Sequence, residues 1–403
     1  MKSFTYEARD QASNKLTKAT VQAESENSAA KLLIEQGLMP LSIKESGGSG
    51  NIIQRLTGRI TSKDKIVFTR QLATLIGAGL PLAQSLRTIT EQTENKQLQS
   101  ISQEILSDVE GGRPLSEAFG KHPSVFDAVY IALISAGEAS GTLDEALKRV
   151  AAQKEKDAAT MSKIRGAMTY PIIVLVVIMG VMAFMLFTVV PQVEQLYVDL
   201  KKQLPFLTQL MVTSADILVK WWGVVLIVLI AIVYFAIQYI KTESGIRFKD
   251  TFKLHIPLFG TMFRKLYMAR FTRTGQTLLS TGVSMLDSLR ITSLAINNVL
   301  VSEAIDRATE KVKGGKALSA SLEAEDNIMS LVPQMIRIGE QSGRIDEMMA
   351  KTAQVFEDEL DDEIKAISTA IEPILMVVLA VVAGSMVGAI LLPIYQLVNT
   401  MNI

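Results

Sequence analysis

Three stretches without Asp, Glu, Lys or Arg interrupt a chain in which apolar and charged positions otherwise alternate: Gly166 to Val193, Trp221 to Ile240, and Pro373 to Ile403. A bilayer crossing needs about 20 apolar residues, so each predicts one span, placed at 171–191, 221–240 and 373–393. The third stretch is longer than a span needs. Pro393 is its expected exit, leaving Ile394 to Ile403 as a short external tail, unless the helix runs on tilted. Between the spans, Leu72, Leu75, Ile76 and Leu80, and later Ile101, Ile105, Leu106 and Val109, recur at three and four residues, the period of an amphipathic helix. Thr61-Ser-Lys-Asp64 and Thr142-Leu-Asp-Glu145 have the form of a capping box. Residues 1–45 read differently. Phe4 to Ala8 and Leu16 to Gln22 alternate like strands, Ser25 to Gln36 reads as a helix ending at Gly37, and Leu41-Ser-Ile is a further strand, giving a small ββαβ module. Residues 46–61 form a linker that contains the flexible Ser46-Gly-Gly-Ser-Gly50.

The chain also contains itself twice. Phe68-Thr-Arg-Gln-Leu-Ala-Thr-Leu answers Phe271-Thr-Arg-Thr-Gly-Gln-Thr-Leu, and Gly111-Gly-Arg-Pro-Leu-Ser116 answers Gly314-Gly-Lys-Ala-Leu-Ser319, at one offset of 203 residues. After one deletion Gly137-Glu-Ala-Ser-Gly-Thr-Leu-Asp144 answers Gly339-Glu-Gln-Ser-Gly-Arg-Ile-Asp346, and Pro171 and Pro191 fall on Pro373 and Pro393. The duplicated unit is a helical lobe of about six short helices, at 62–165 and 265–370, followed by a span. Gly79, Gly112 and Gly141, with partners Gly282, Gly315 and Gly343, read as left-handed helix ends or turns, where a Cβ is costly.

Charge then orients this plan. Of the 41 Lys and Arg residues, all but Lys201, Lys202 and Lys220 lie outside the 192–220 connection and the spans. By the positive-inside rule the N-terminus and both lobes are expected in the cytoplasm, with 192–220 and the C-terminus on the extracytoplasmic side. Residues 1–10 lack an apolar signal region, so the first span is expected to act as the membrane signal. Asp plus Glu equals Lys plus Arg, which gives no reason to expect nucleic acid as a partner, and with no cysteine a thiolate metal site or nucleophile is excluded.

The order of these blocks resembles the secretion F family, the inner-membrane platform proteins of type IV pilus and type II secretion machines. The resemblance rests on the N-terminal module, the Phe68-Thr-Arg block, His122-Pro-Ser-Val-Phe126, both Gly-Glu-x-Ser-Gly blocks, Pro257-Leu-Phe-Gly260 and the Pro-bounded spans. It implies an all-α membrane protein with two homologous cytoplasmic bundles and three transmembrane helices. It further implies a scaffold, not an enzyme, whose partners are a cytoplasmic hexameric assembly ATPase, pilin or pseudopilin subunits and other inner-membrane assembly proteins. Ser284 for Pro81 and Ala317 for Pro114 depart from the first unit and make the second lobe's turns less rigid.

Candidate chemistry is sparse. Gly315-Lys316 is followed by Ala317 and Gly120-Lys121 by His122, so no phosphate-binding loop is present and any motor acts in trans. No cofactor is expected. His122 and His255 lie in different lobes and predict no metal site. Glu138 and Glu340 occupy equivalent turns with Ser140 and Ser342, and either contact the ATPase or a cation, or hold the loop by accepting hydrogen bonds from nearby backbone amides or by pairing with a bundle Arg. The run Glu357-Asp-Glu-Leu-Asp-Asp-Glu363 either is a solvated face, or docks a basic partner, or collects a divalent cation through Glu357, Asp358, Asp361 and Asp362. Unit one is mixed at the matching place, Lys154-Glu-Lys-Asp157 and then Lys163 and Arg165, which suits two lobes that bind different partners. Ala380, Gly384 and Gly388 share one face of the third span, for packing on the other spans or for homo-oligomer contact. The rival classes, a channel or transporter component with regulatory lobes and an intramembrane protease, need polar or ionisable groups at membrane depth. The spans hold only Ser385 and Thr188 besides ring and amide groups near their ends.

Overall fold

The computed structural model describes residues 2–10, 16–23, 28, 30, 38–45, 59–199, 209, 212, 213, 217 and 220–401. At the N-terminal end β1 (Lys2–Asp10), β2 (Leu16–Ala23) and β3 (Leu38–Glu45) form an antiparallel sheet in the order β2-β1-β3. Tyr6 is paired with Ala19 on one side and Ile43 on the other, and a bulge lies at Glu7/Ala8. Apart from Ser28 and Ala30, which are helical, the helix expected over 25–36 and the tether behind β3 fall outside the described residues, so a complete ββαβ module is not established.

The first lobe is built from α1 (Ser62–Gly77), α2 (Leu82–Gln92), α3 (Lys96–Glu110), α4 (Leu115–Gly120) and α5 (Ala128–Ser140). Its core gathers the periodic apolar positions around an aromatic cluster, with the Phe119 and Phe126 ring centroids 4.4 Å apart and Phe126 and Tyr130 4.8 Å. Thr61 opens α1 with the expected reciprocal box. The Asp64 amide donates to the Thr61 hydroxyl at 3.2 Å and the Thr61 amide to the Asp64 carboxylate at 2.9 Å. The box expected at Thr142 does not form. Thr142 has φ −110° and ψ 42°, not the extended backbone that a cap needs, because its amide is drawn back to the Gly137 carbonyl at 2.8 Å.

From there α6 (Leu143–Phe184) runs unbroken through Pro171, so lobe and span share one helix of 42 residues. A single π turn, Met185–Val189, precedes α7 (Val190–Asp199). Its cause is Pro191. A proline donates no amide and crowds the carbonyl four residues back, and widening the turn, with Val190 donating to Met185, accommodates the ring. The connection expected to start at 192 therefore begins as helix, and most of it lies outside the described residues. The second span, α8 (Trp222–Lys241), is followed by α9 (Glu243–His255), a segment to which the sequence pattern assigned no element.

The second lobe repeats the first as α10 (Gly260–Ser280), α11 (Met285–Ala295), α12 (Val299–Lys313), α13 (Leu318–Glu323) and α14 (Leu331–Ser342). Ser284, in place of Pro81, caps α11 by accepting the Asp287 amide at 3.2 Å. The closing helix α15 (Ile345–Met401) passes through Pro373 and Pro393 without a break, so the chain beyond Pro393 continues as helix to Met401. Three helical stretches, 143–199, 222–241 and 345–388, are long and apolar enough to cross a membrane. Within 373–388 Leu375 and Met386 are the buried side chains, and a methyl built on Gly384 or Gly388 meets no atom within 4 Å. The small-residue face, exposed Ala380 included, therefore does not pack on the other spans among the described residues. At 100° per residue Leu375 and Met386 fall on the opposite side of the helix.

The two lobes are packed together. Leu278 of α10 is part of the first lobe's core, Ile291 and Ala295 of α11 lie against it, and Arg149 donates to the Ser280 hydroxyl at 2.6 Å.

Candidate functional site

Two duplicated blocks that are separate in the sequence meet in each lobe. Pro114 stands at the N-cap of α4 and Ala317 at that of α13, and neither has a side chain that can cap. The free amides of a helix start need acceptors, and here they find one on another helix. Glu138 of α5 accepts the Leu115 amide at 2.5 Å, the Ser116 amide at 2.9 Å and the Ser116 hydroxyl at 2.5 Å. In the second lobe Glu340 accepts the Leu318 amide at 2.6 Å, the Ser319 amide at 3.3 Å and the Ser319 hydroxyl at 2.5 Å. The negative charge also suits the positive end of the helix. Both glutamates are occupied in holding their own lobe.

The glycines around them complete the turn. Gly79, Gly112 and Gly141 and their counterparts Gly282, Gly315 and Gly343 all have φ between 72° and 88°. Gly111 and Gly314 precede two of these with negative φ, at the C-caps of α3 and α12. Gly137 and Gly339 serve close approach: a Cβ on Gly137 would stand 2.5 Å from that of Ala146, and one on Gly339 2.7 Å from the Ile345 Cα. Ser140 and Ser342 turn their hydroxyls back to the Ala136 and Ile338 carbonyls at 2.8 Å. The Pro257-Leu-Phe-Gly260 block is likewise a tight turn, with Leu258 at φ 66° and the Gly260 amide donating to Ile256.

The acidic run has partners within the chain. Glu357 accepts two hydrogen bonds from Arg273 of its own lobe, at 2.9 and 2.7 Å, and is ion-paired with Lys156 of α6. Lys163 of α6 meets Asp361 at 2.6 Å, and Lys265 of α10 meets Glu359 and Glu363 at 3.3 and 2.9 Å. Behind the charges Met262, Leu266, Leu360, Ile364 and Ile367 bury against one another, with Ile164 and Ala167 of α6 packed on them. The charge contrast read as suiting two different partners is met here within the chain. At these positions the basic stem of unit one and the acidic stem of unit two are each other's partners. The signal was present, since Lys156 and Lys163 are seven residues apart on one face and Glu357 and Asp361 four apart, but nothing in spacing says that the faces meet.

The four carboxylates taken as a possible cation site are dispersed. Asp358 accepts from the Gln354 amide at 2.8 Å and Asp362 pairs with Lys365 at 3.3 Å, while Glu357 and Asp361 face cations. Among the described residues no group of three or more His, Cys, Asp or Glu is placed to hold a metal. His122 lies 3.5 Å from Glu104, and its carbonyl accepts the Val125 and Phe126 amides; His255 contacts the Thr251 carbonyl at 2.9 Å through Nδ1. Beside the seam, a small cavity is lined by Asp157, Arg270, Arg273, Lys156, Glu357 and apolar groups. Burial raises the Asp157 carboxyl above the ordinary aspartate range, with the Arg270 charge offsetting part of the rise.

The seam should behave as a salt-sensitive clasp. In a double-mutant cycle of Lys156→Ala and Glu357→Ala, followed by thermal unfolding of the detergent-solubilised chain, the coupling should be about 1 kcal/mol or less, because the Lys156 side chain is 45% exposed. It should shrink as salt is raised. A coupling of zero at low salt would show that the Lys156–Glu357 pair does not help to hold the stems together.

Comparison with known proteins agrees with this architecture. The family model described as "Type II secretion system (T2SS), protein F" matches twice, at residues 68–191 and 271–393, and that of the protein's N-terminal domain matches residues 1–44. The chain is 37% identical to the type IV pilus assembly protein PilC of Thermus thermophilus over 99% of both chains, and 37% to that of Myxococcus xanthus over 99% of this chain and 96% of the relative. It is 30% identical to the type II secretion system protein F of Vibrio cholerae over the full length of both. The twofold match falls on the two lobes with their spans, and the chain belongs to the type II secretion system protein F family.

Proposed function

We propose that this protein is the non-enzymatic inner-membrane platform that couples a cytoplasmic hexameric assembly ATPase to the extraction and polymerisation of pilin or pseudopilin subunits. The N-terminus and both lobes, bounded near 62–165 and 265–370, face the cytoplasm, where 38 of 41 basic residues lie. The observation that carries this reading is the continuity of stem and span. Both α6 and α15 leave their lobes and enter apolar segments as single helices, with no loop at Pro171 or Pro373 to absorb movement. A displacement of the lobes on the ATPase is then delivered to the spans, because continuous helix is a semi-rigid spacer and no flexible linker lies between them to take up the movement. The seam between the stems makes both spans move together, and the exposed apolar faces of the spans offer subunits a surface from which packing forces, without a hydrophobic drive, permit release.

A break in the stem separates binding from transmission. Insertion of Gly-Gly-Ser between Arg165 and Gly166 is expected to leave co-purification of the ATPase with the full chain intact while abolishing surface filaments or secreted product. Wild-type levels of assembly in that variant would overturn the coupling role, and loss of the ATPase from the wild-type complex would overturn the platform reading as a whole.

A further inference from the structure

The helix α9 has two unlike faces, and the second span leaves from one of them. Only Thr242 separates the end of α8 from the start of α9. The Tyr239 carbonyl in the last turn of the span accepts both the Thr242 amide, at 3.0 Å, and the Thr242 hydroxyl, at 2.7 Å, while that hydroxyl accepts the Gly245 amide at 3.1 Å. The approach is close enough that a Cβ on Gly245 would stand 1.8 Å from the Tyr239 oxygen. Gly245 therefore marks the side of α9 on which the span lies. At 3.6 residues per turn, Phe252 falls about 20° and Phe248 about 60° around the helix from Gly245, whereas the buried Asp250 and Leu254 fall about 140° and 180° away. Those two face the lobe: Leu254 enters its core and Asp250 accepts the Val299 amide at 3.1 Å.

The outward pair is costly to leave in water. Phe248 is 64% and Phe252 56% exposed, and their rings stack with centroids 6.4 Å apart and planes 19° from parallel. Lys249 and Lys253 stand along one edge of this face, 3.8 and 3.3 Å from Asp250, each with further ammonium protons to donate. Aromatic rings flanked by lysines, on the side where a transmembrane helix departs, match the headgroup boundary of a bilayer.

We propose that α9 is a membrane-surface helix, whose Phe248 and Phe252 sit in the headgroup boundary of the bilayer crossed by α8, with Lys249 and Lys253 beside lipid phosphates. It fixes the second lobe to the membrane face at a second point besides the stem α15. The inference rests on α8 crossing the bilayer and is independent of the ATPase and of pilin.

The chain has no cysteine, so a single nitroxide can be placed at Phe248→Cys or Phe252→Cys in the full-length protein, reconstituted in vesicles of phosphatidylcholine and phosphatidylglycerol. Collision with oxygen is expected to exceed collision with a water-soluble nickel chelate several-fold at both positions, and the reverse at exposed Lys316→Cys. Ser244→Cys, exposed on the same side, reports the same depth if a phenylalanine variant fails to fold. Nickel access equal to that at Lys316→Cys would overturn the proposal. So would dipolar broadening between labels without oxygen preference, which would assign the face to contact between two copies.

Discussion

Gly245→Ala is expected to prevent correct docking of the second lobe on its span, with a loss of about 3 kcal/mol or more, the upper end of overpacking costs. The added methyl would lie 1.8 Å from a backbone oxygen that already holds the Thr242 amide and hydroxyl, so no side-chain rotation relieves the clash. The checks are the yield of folded protein in isolated membranes and its melting temperature in detergent. Gly384→Ala is the control. Its methyl meets nothing within 4 Å, so its effect should stay within about 0.5 kcal/mol, although Gly384 belongs to the more conspicuous sequence pattern. Equal melting temperatures for Gly245→Ala and wild type would mean that α8 and α9 do not meet in this way.

The second large effect is expected at the duplicated clamps. Glu138→Ala leaves two amides and a hydroxyl at the start of α4 without their acceptor in a part-buried place, and Glu340→Ala does the same for α13. Hydrogen bonds to a charged group contribute about 1.5–3 kcal/mol, and an unmet buried donor adds its own desolvation cost, so each variant should lose about 3 kcal/mol. Glu138→Gln, which keeps an acceptor oxygen, should lose about half of that. The two sites lie in different lobes and share no partner, so the losses in the double variant should add to within about 0.5 kcal/mol. Unchanged stability with failed assembly would instead assign the glutamates to partner contact.

These sites also show how much was legible in the residues alone. The six left-handed glycines were readable because only glycine adopts that backbone cheaply, and the duplication marked each of them twice. That Glu138 and Glu340 hold their own loops was one of two readings. The acceptor role could be named, but the recipients, 22 residues or so away along the chain, could not. Helix α9 left no clear signal, because its apolar positions serve two faces: Leu254 the lobe and Phe248 with Phe252 the opposite side. Of the two readings at Pro393, a break or a helix that runs on, the helix runs on; the cost of a proline is one lost hydrogen bond and a local crowding, which does not oblige a helix to end.

Local and periodic properties were determined by the sequence itself: three spans, from the length of uncharged stretches; two helical units, from repetition; the turns, from glycine placement; the expected side of the membrane, from the distribution of Lys and Arg. Each depends on residues near one another along the chain, or on sums over it. Which surfaces meet was decided only in the tertiary structure. Lys156 and Glu357 are 201 residues apart, and each reads equally well as a solvated charge until α6 and α15 are laid side by side. The physical reason is that exposed ion pairs are weak and apolar contact has no direction, so neither leaves a pattern in one segment that names its partner in another.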